Sequence, residues 1–154
     1  MRPLALPLAL LAVVAGCGGS KQADVPVTAL LTGVRAAPQE VVFEFASPPV
    51  DVTARFRPES SIAEAGSGAK VDVRGDTFLV VTFTPAATAD IAGEEVVLTY
   101  KGPKRVAPRG LGPVQEVVKI GDFEAQLEWV VGLSGRTAYD GARDGDRVTV
   151  TFAG

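Results

Sequence analysis

Apolar and polar residues alternate along most of this chain in runs of roughly five to ten positions, with Gly, Pro and Asp between the runs. A period of two puts successive side chains on opposite faces, so each run predicts a strand with one dry and one wet side. Val41, Phe43 and Phe45 share a face opposite Glu44, and Val50, Val52, Ala54 and Phe56 alternate with Asp51, Thr53, Arg55 and Arg57. Val71 and Val73 alternate with Asp72 and Arg74, and Gly75-Asp76 is a two-residue hairpin signal leading into the stretch 78–83. That stretch is apolar on both faces, as a central strand is. Strands are also expected at 96–100 and 114–120. Gly121-Asp122 then turns the chain into the longest alternation, whose inward face is Phe123, Ala125, Leu127, Trp129, Val131 and Leu133. Asp144-Gly145-Asp146 is a further turn signal ahead of a last strand with Val148, Val150 and Phe152 on one side.

About eight or nine half-apolar strands must bury their dry faces against one another, and the spacing of the turn signals suits an antiparallel sandwich. The expected fold class is therefore all-β, an antiparallel β-sandwich with little helix. Residues 58–69 and 84–93 are its long loops, each with room for one helical turn.

The first residues do not fit this scheme. Arg2, an apolar run from Leu4 to Val14 and the small pair Ala15-Gly16 have the layout of an export signal. A spanning helix needs about 20 apolar residues, and this run is shorter and contains Pro7. Val14-Ala15-Gly16-Cys17 resembles the lipobox of bacterial lipoproteins, where the Cys becomes lipidated and the signal is cut just before it. Cys17 is the single Cys of the chain, and a diacylglycerol thioether inserts two acyl chains, enough for stable anchoring. The alternative is an ordinary secretory signal with an incidental thiol. The reading divides the chain into a signal at 1–16, a lipidated N-terminus and flexible tether at 17–26, and a β-domain at 27–154, held to the extracytoplasmic face of the membrane through Cys17.

Composition narrows the chemistry. The formal net charge of −3 gives no general attraction to nucleic acid, and no groove-reading or aromatic-basic motif appears. With no His and one Cys, the usual metal-ligand sets and His-based acid-base machinery cannot be assembled, so no catalytic residue, metal or cofactor is expected. Ser67-Gly68-Ala69-Lys70 matches the Ser-x-x-Lys pattern of acyl-enzymes, but Gly68 weakens the helix that would bring the two together. Arg74-Gly75-Asp76 reads as a turn before it reads as an adhesion tripeptide, and Asp140, Asp144 and Asp146 lack the calcium-loop spacing. Trp129 lies on an apolar stripe and belongs to the core. The most asymmetric surface feature is the run from Tyr100 to Arg109, where Lys101, Lys104, Arg105 and Arg109 occur with no acid between Val96 and Gln115. Tyr100 and these four cations are the candidate ligand-binding residues, since ammonium and guanidinium groups pair with phosphate and carboxylate. The same charges also suit a solvated Gly/Pro loop.

Several strings together resemble a known family: Val41-Val42-Phe43-Glu44-Phe45, the stretch 73–83, Tyr100-Lys101-Gly102-Pro103, and Gly121-Asp122-Phe123-Glu124 followed by Leu127 and Trp129-Val130-Val131-Gly132-Leu133. They resemble the AMIN-like domain of actinobacterial lipoproteins, similar in turn to the AMIN domains that precede cell-wall amidases and secretins. The resemblance implies a β-sandwich that localises to peptidoglycan or another envelope component. The chain departs from the family pattern at 36–40 and 145–150. The functional expectation is a membrane-anchored, non-catalytic binding module for a wall glycopolymer, or alternatively an accessory subunit docked on an envelope or membrane protein complex.

Overall fold

A computed structural model describes residues 27–154. The expected signal, Cys17 and the tether lie outside the described residues. Among the described residues twelve strands form two five-stranded sheets and a small ribbon. Eight strands are long: β1 (Ala29–Ala37), β2 (Glu40–Phe45), β3 (Asp51–Arg57), β4 (Thr77–Thr84), β9 (Val114–Phe123), β10 (Gln126–Leu133), β11 (Tyr139–Asp144) and β12 (Arg147–Phe152). Four have two residues each: β5 (Ala86–Ala87), β6 (Ala89–Asp90), β7 (Val97–Leu98) and β8 (Arg105–Val106). Sheet I runs β11-β12-β2-β1-β5 and sheet II runs β3-β4-β10-β9-β8, with β6 and β7 paired apart. All pairings are antiparallel except β1 with β5. Among the described residues helix is confined to one 3-10 turn, Glu59–Ser61, inside the first expected long loop.

The period-two faces meet between the sheets. Val41, Phe43 and Phe45 with Val148, Val150 and Phe152 face Leu79, Val81, Phe83, Leu127, Trp129 and Val131 across the sandwich. Phe43 packs on Phe83 at 4.9 Å and on Trp129 at 6.1 Å between ring centroids, both edge to face, the arrangement the ring quadrupoles favour. Trp129 is fully buried, as expected, and its Nε1 has no hydrogen-bond partner among the described residues.

Sheet II is also dry on its outer face. Phe78, Val80, Val118, Ile120 and Val130 form a second cluster with Ile62, against which Val71 and Val73 are half-buried. This is why 78–83 is apolar on both sides. The cover is the connection between β3 and β4, and it corrects the expectation for 71–76. Val71 and Val73 do not make a strand paired with β4 through a Gly75-Asp76 turn. They lie across the sheet, stapled by Ala65 N–H to Ile120 O at 2.8 Å and Asp76 N–H to Leu133 O at 2.8 Å. Gly75 serves conformation and proximity together: its φ is +134°, and a Cβ on it would stand 2.7 Å from Leu133 N.

The second correction concerns the β9-β10 hairpin. The chain turns at Glu124-Ala125, both at positive φ (50° and 58°), rather than at Gly121-Asp122. Two successive positive φ values are the primed-turn geometry that matches strand twist. Gly121 instead admits Ala65 of the cover, with a Cβ there 3.2 Å from Ala65 Cβ. A register shift between Glu128 and Trp129 absorbs the extra residue, and Phe123, expected inside, is 62% exposed beside the turn.

Gly132 permits the closest approach of cover and sheet, since a Cβ on it would lie 1.9 Å from Arg74 O. We expect Gly132→Ala to destabilise the protein by about 1–3 kcal/mol in urea denaturation, as forced overpacking does. Gly135→Ala, where a Cβ meets nothing within 4 Å, should stay within about 0.5 kcal/mol of wild type.

Candidate functional site

The basic run begins in the core and ends in solvent. Tyr100 is 7% exposed, its ring edge-on to Trp129 at 5.5 Å, and its hydroxyl donates to Pro103 O at 2.8 Å. Burial raises the phenol pKa. Gly102 lets the following turn fold over the ring, because a Cβ there would stand 2.6 Å from the Tyr100 hydroxyl. After the turn, β8 pairs with β9 at Arg105↔Val118 and Val106↔Val117, which places Lys104 and Arg105 at the edge of sheet II beside the cover.

Both of these cations are occupied. Lys104 Nζ lies 2.5 Å from Glu64 Oε1. Arg105 donates through Nη1 to Glu116 Oε2 at 2.9 Å and through Nη2 to Asp72 O at 2.7 Å. Glu116 is a buried carboxylate on β9, and the same oxygen accepts Arg74 N–H at 2.9 Å. One carboxylate thus joins β9, β8 and the cover. The acids missing from the local sequence arrive from far along the chain, 40 residues away for Lys104 and 11 for Arg105. Lys101 and Arg109 are exposed and form no ion pair among the described residues. Tyr100, Lys104 and Arg105 are therefore held by the fold, and Lys101 and Arg109 remain open to a ligand.

The other sequence candidates are dispersed. Ser67 Oγ donates to Glu64 Oε2 at 3.1 Å and Lys70 Nζ to Glu59 Oε1 at 3.1 Å, so hydroxyl and amine engage different carboxylates. Among the described residues no three His, Cys, Asp or Glu side chains converge as a metal site, Asp140, Asp144 and Asp146 included. A polar cluster not anticipated from sequence joins Thr88, Lys119 and Asp122. The buried Thr88 hydroxyl donates to the Asp122 carboxylate, and Lys119 Nζ lies 3.3 Å from Thr88 Oγ1 and 3.4 Å from Asp122 Oδ2. Thr88 O meanwhile accepts N–H groups of Thr99 and Tyr100, so the cluster pins the start of the basic loop to β9.

The family model of the AMIN-like domain matches residues 25–153. The chain belongs to the AMIN-like domain family. No curated protein and no solved structure matches it significantly. AMIN-like domains are in general extracytoplasmic binding modules rather than catalysts, and membership points to a cell-wall-related role. Among the described residues no helix is long and apolar enough to cross a membrane.

Hydrogen bonds from Lys104 and then Ser67, with the Lys104 charge, hold the Glu64 carboxyl below the usual carboxylate range. A depressed folded-state pKa contributes stability above the ordinary carboxylate pKa and loses it as pH falls through the folded value. We expect Lys104→Ala to move the Glu64 midpoint upward in a side-chain NMR titration. The stability difference between wild type and variant should be present at neutral pH and vanish once Glu64 is protonated.

Proposed function

We propose that this AMIN-like domain is a membrane-anchored cell-envelope lipoprotein, a non-catalytic module that binds peptidoglycan or another wall glycopolymer. The observation that carries this reading is the family match across residues 25–153, with its cell-wall association. The lipobox-like Val14-Ala15-Gly16-Cys17 supports the anchor: Cys17 carries the lipid, residues 17–26 form the tether, and residues 27–154 work just outside the cytoplasmic membrane. Lys101 and Arg109 are the first contacts for wall carboxylates or phosphates, with half-exposed Lys104 able to exchange Glu64 for a ligand anion. A second reading, docking on another envelope protein, draws support from the β6-β7 ribbon. Ile91, Val96, Val97 and Leu98 there are 76%, 69%, 56% and 59% exposed, an apolar surface of the kind that marks protein contacts.

Two measurements separate these statements. Metabolic palmitate labelling should mark the wild type and not Cys17→Ala, and label retained by the variant would refute the anchor. Wild-type protein should co-sediment with purified sacculi, and Lys101→Ala with Arg109→Ala should weaken that binding about tenfold, the loss of two solvent-exposed ion pairs. Binding unchanged by the double variant would remove these residues from the interface. Crosslinking to one envelope protein through Leu98, without sacculus binding, would favour docking.

A further inference from the structure

Tyr139, Gly141 and Arg143 of β11 stand directly opposite the inward-facing Phe152, Val150 and Val148 of β12. Directly opposed residues share a face, so all three positions lie on the inner face of sheet I. The outer two cross to the edge of the other sheet: the Tyr139 hydroxyl donates to Ala54 O at 2.9 Å, and Arg143 Nη2 donates to Val50 O at 2.9 Å. The middle one has no side chain. β11 and β3, the free edges of sheets I and II, are thus held apart by two posts with nothing between them. The gap is an apolar slot of about 260 Å³, floored by Val81, Val148 and Val150 and walled by Val52 and Ala54.

Protein interiors are ordinarily packed to crystal density, and an apolar cavity of about 150 Å³ already accepts benzene. The slot is larger than that and open to solvent. Backbone geometry does not impose the gap, because Gly141 has no positive φ and a Cβ on it would meet nothing within 4 Å. Arg143 is the one charged residue lining the slot among the described residues. It forms no ion pair there, and a single N–H of its guanidinium goes to Val50 O. A guanidinium carries five donors, so several remain for a planar anion.

We propose that this slot is a binding site for a small amphiphile, an aliphatic or aromatic group ending in a carboxylate. The apolar part lies on Val81, Val148 and Val150 in the space Gly141 leaves, and the carboxylate pairs with Arg143 at the mouth. The slot lies at the β3 edge of sheet II and the basic loop at the opposite, β8 edge, so this site is independent of the wall-polymer reading.

The test uses the full chain carrying Cys17→Ala, so that no attached acyl chain competes, with octanoate and 1-octanol as probes. Calorimetry should show saturable one-to-one binding of octanoate. Arg143→Gln should weaken octanoate about tenfold, the loss of one charged hydrogen-bonded contact, and leave octanol within about twofold. Gly141→Phe should abolish binding of both and raise the melting temperature by filling the gap. Methyl NMR on the unmodified slot keeps the test decisive should Gly141→Phe fail to fold: octanoate should shift Val52, Ala54, Val81, Val148 and Val150 in preference to other methyls. Absence of saturable binding, or shifts centred instead on Val97 and Leu98, overturns the proposal.

Discussion

Sheet II is apolar on both faces, and much of the rest of the molecule answers that constraint. One face is satisfied by sheet I in the ordinary manner of a sandwich. The other would leave Phe78, Val80, Val118, Ile120 and Val130 in water, and the β3-β4 connection lies over them. That connection has almost no regular structure, so its order depends on contacts with the sheet. Ile62 supplies the fully buried side chain, and Glu116 supplies the polar fixing point that holds Arg74 N–H and Arg105 together. A buried carboxylate is tolerable only with such partners, and losing them leaves an uncompensated charge.

This clamp changes the meaning of the basic loop. Counted along the chain, the segment from Lys101 to Arg109 is an unopposed cluster of cations in an acidic protein. In three dimensions Lys104 and Arg105 face Glu64 and Glu116, and Tyr100 is part of the core against Trp129. The envelope-binding reading of an AMIN-like domain therefore rests on a smaller set of residues than charge density along the sequence suggests. The residues that shape an accessible apolar cleft, Tyr139, Gly141 and Arg143, belong to a strand with no apolar alternation at all.

The parts of the fold legible in the sequence are those where one face of a strand is buried. Val41-Phe43-Phe45, Leu127-Trp129-Val131 and Val148-Val150-Phe152 read correctly because burial imposes the period of two. β11 is not legible in the sequence because all six of its residues are exposed, and only backbone pairing with β12 makes it a strand. Glycines are the other place where sequence and structure part. Gly75 and Gly121 both carry turn signals in the sequence, but Gly75, at φ +134°, also lets the cover's backbone meet Leu133, and Gly121 leaves room for the side chains of Ala65 and Glu128. Local sequence does not distinguish a glycine needed for conformation from one needed for approach. The actual turn uses Glu124-Ala125, a pair carrying no glycine signal.

The clamp is tested most directly by hydrogen exchange on Glu116→Ala. If Glu116 holds the cover, the amides of Ala65, Val71 and Arg74 should exchange faster by about tenfold or more, as local opening becomes easier. Amides of β2 and β12, on the far side of the sandwich, should keep their protection. Unchanged exchange in the cover, or an equal loss of protection in both sheets, would contradict the account.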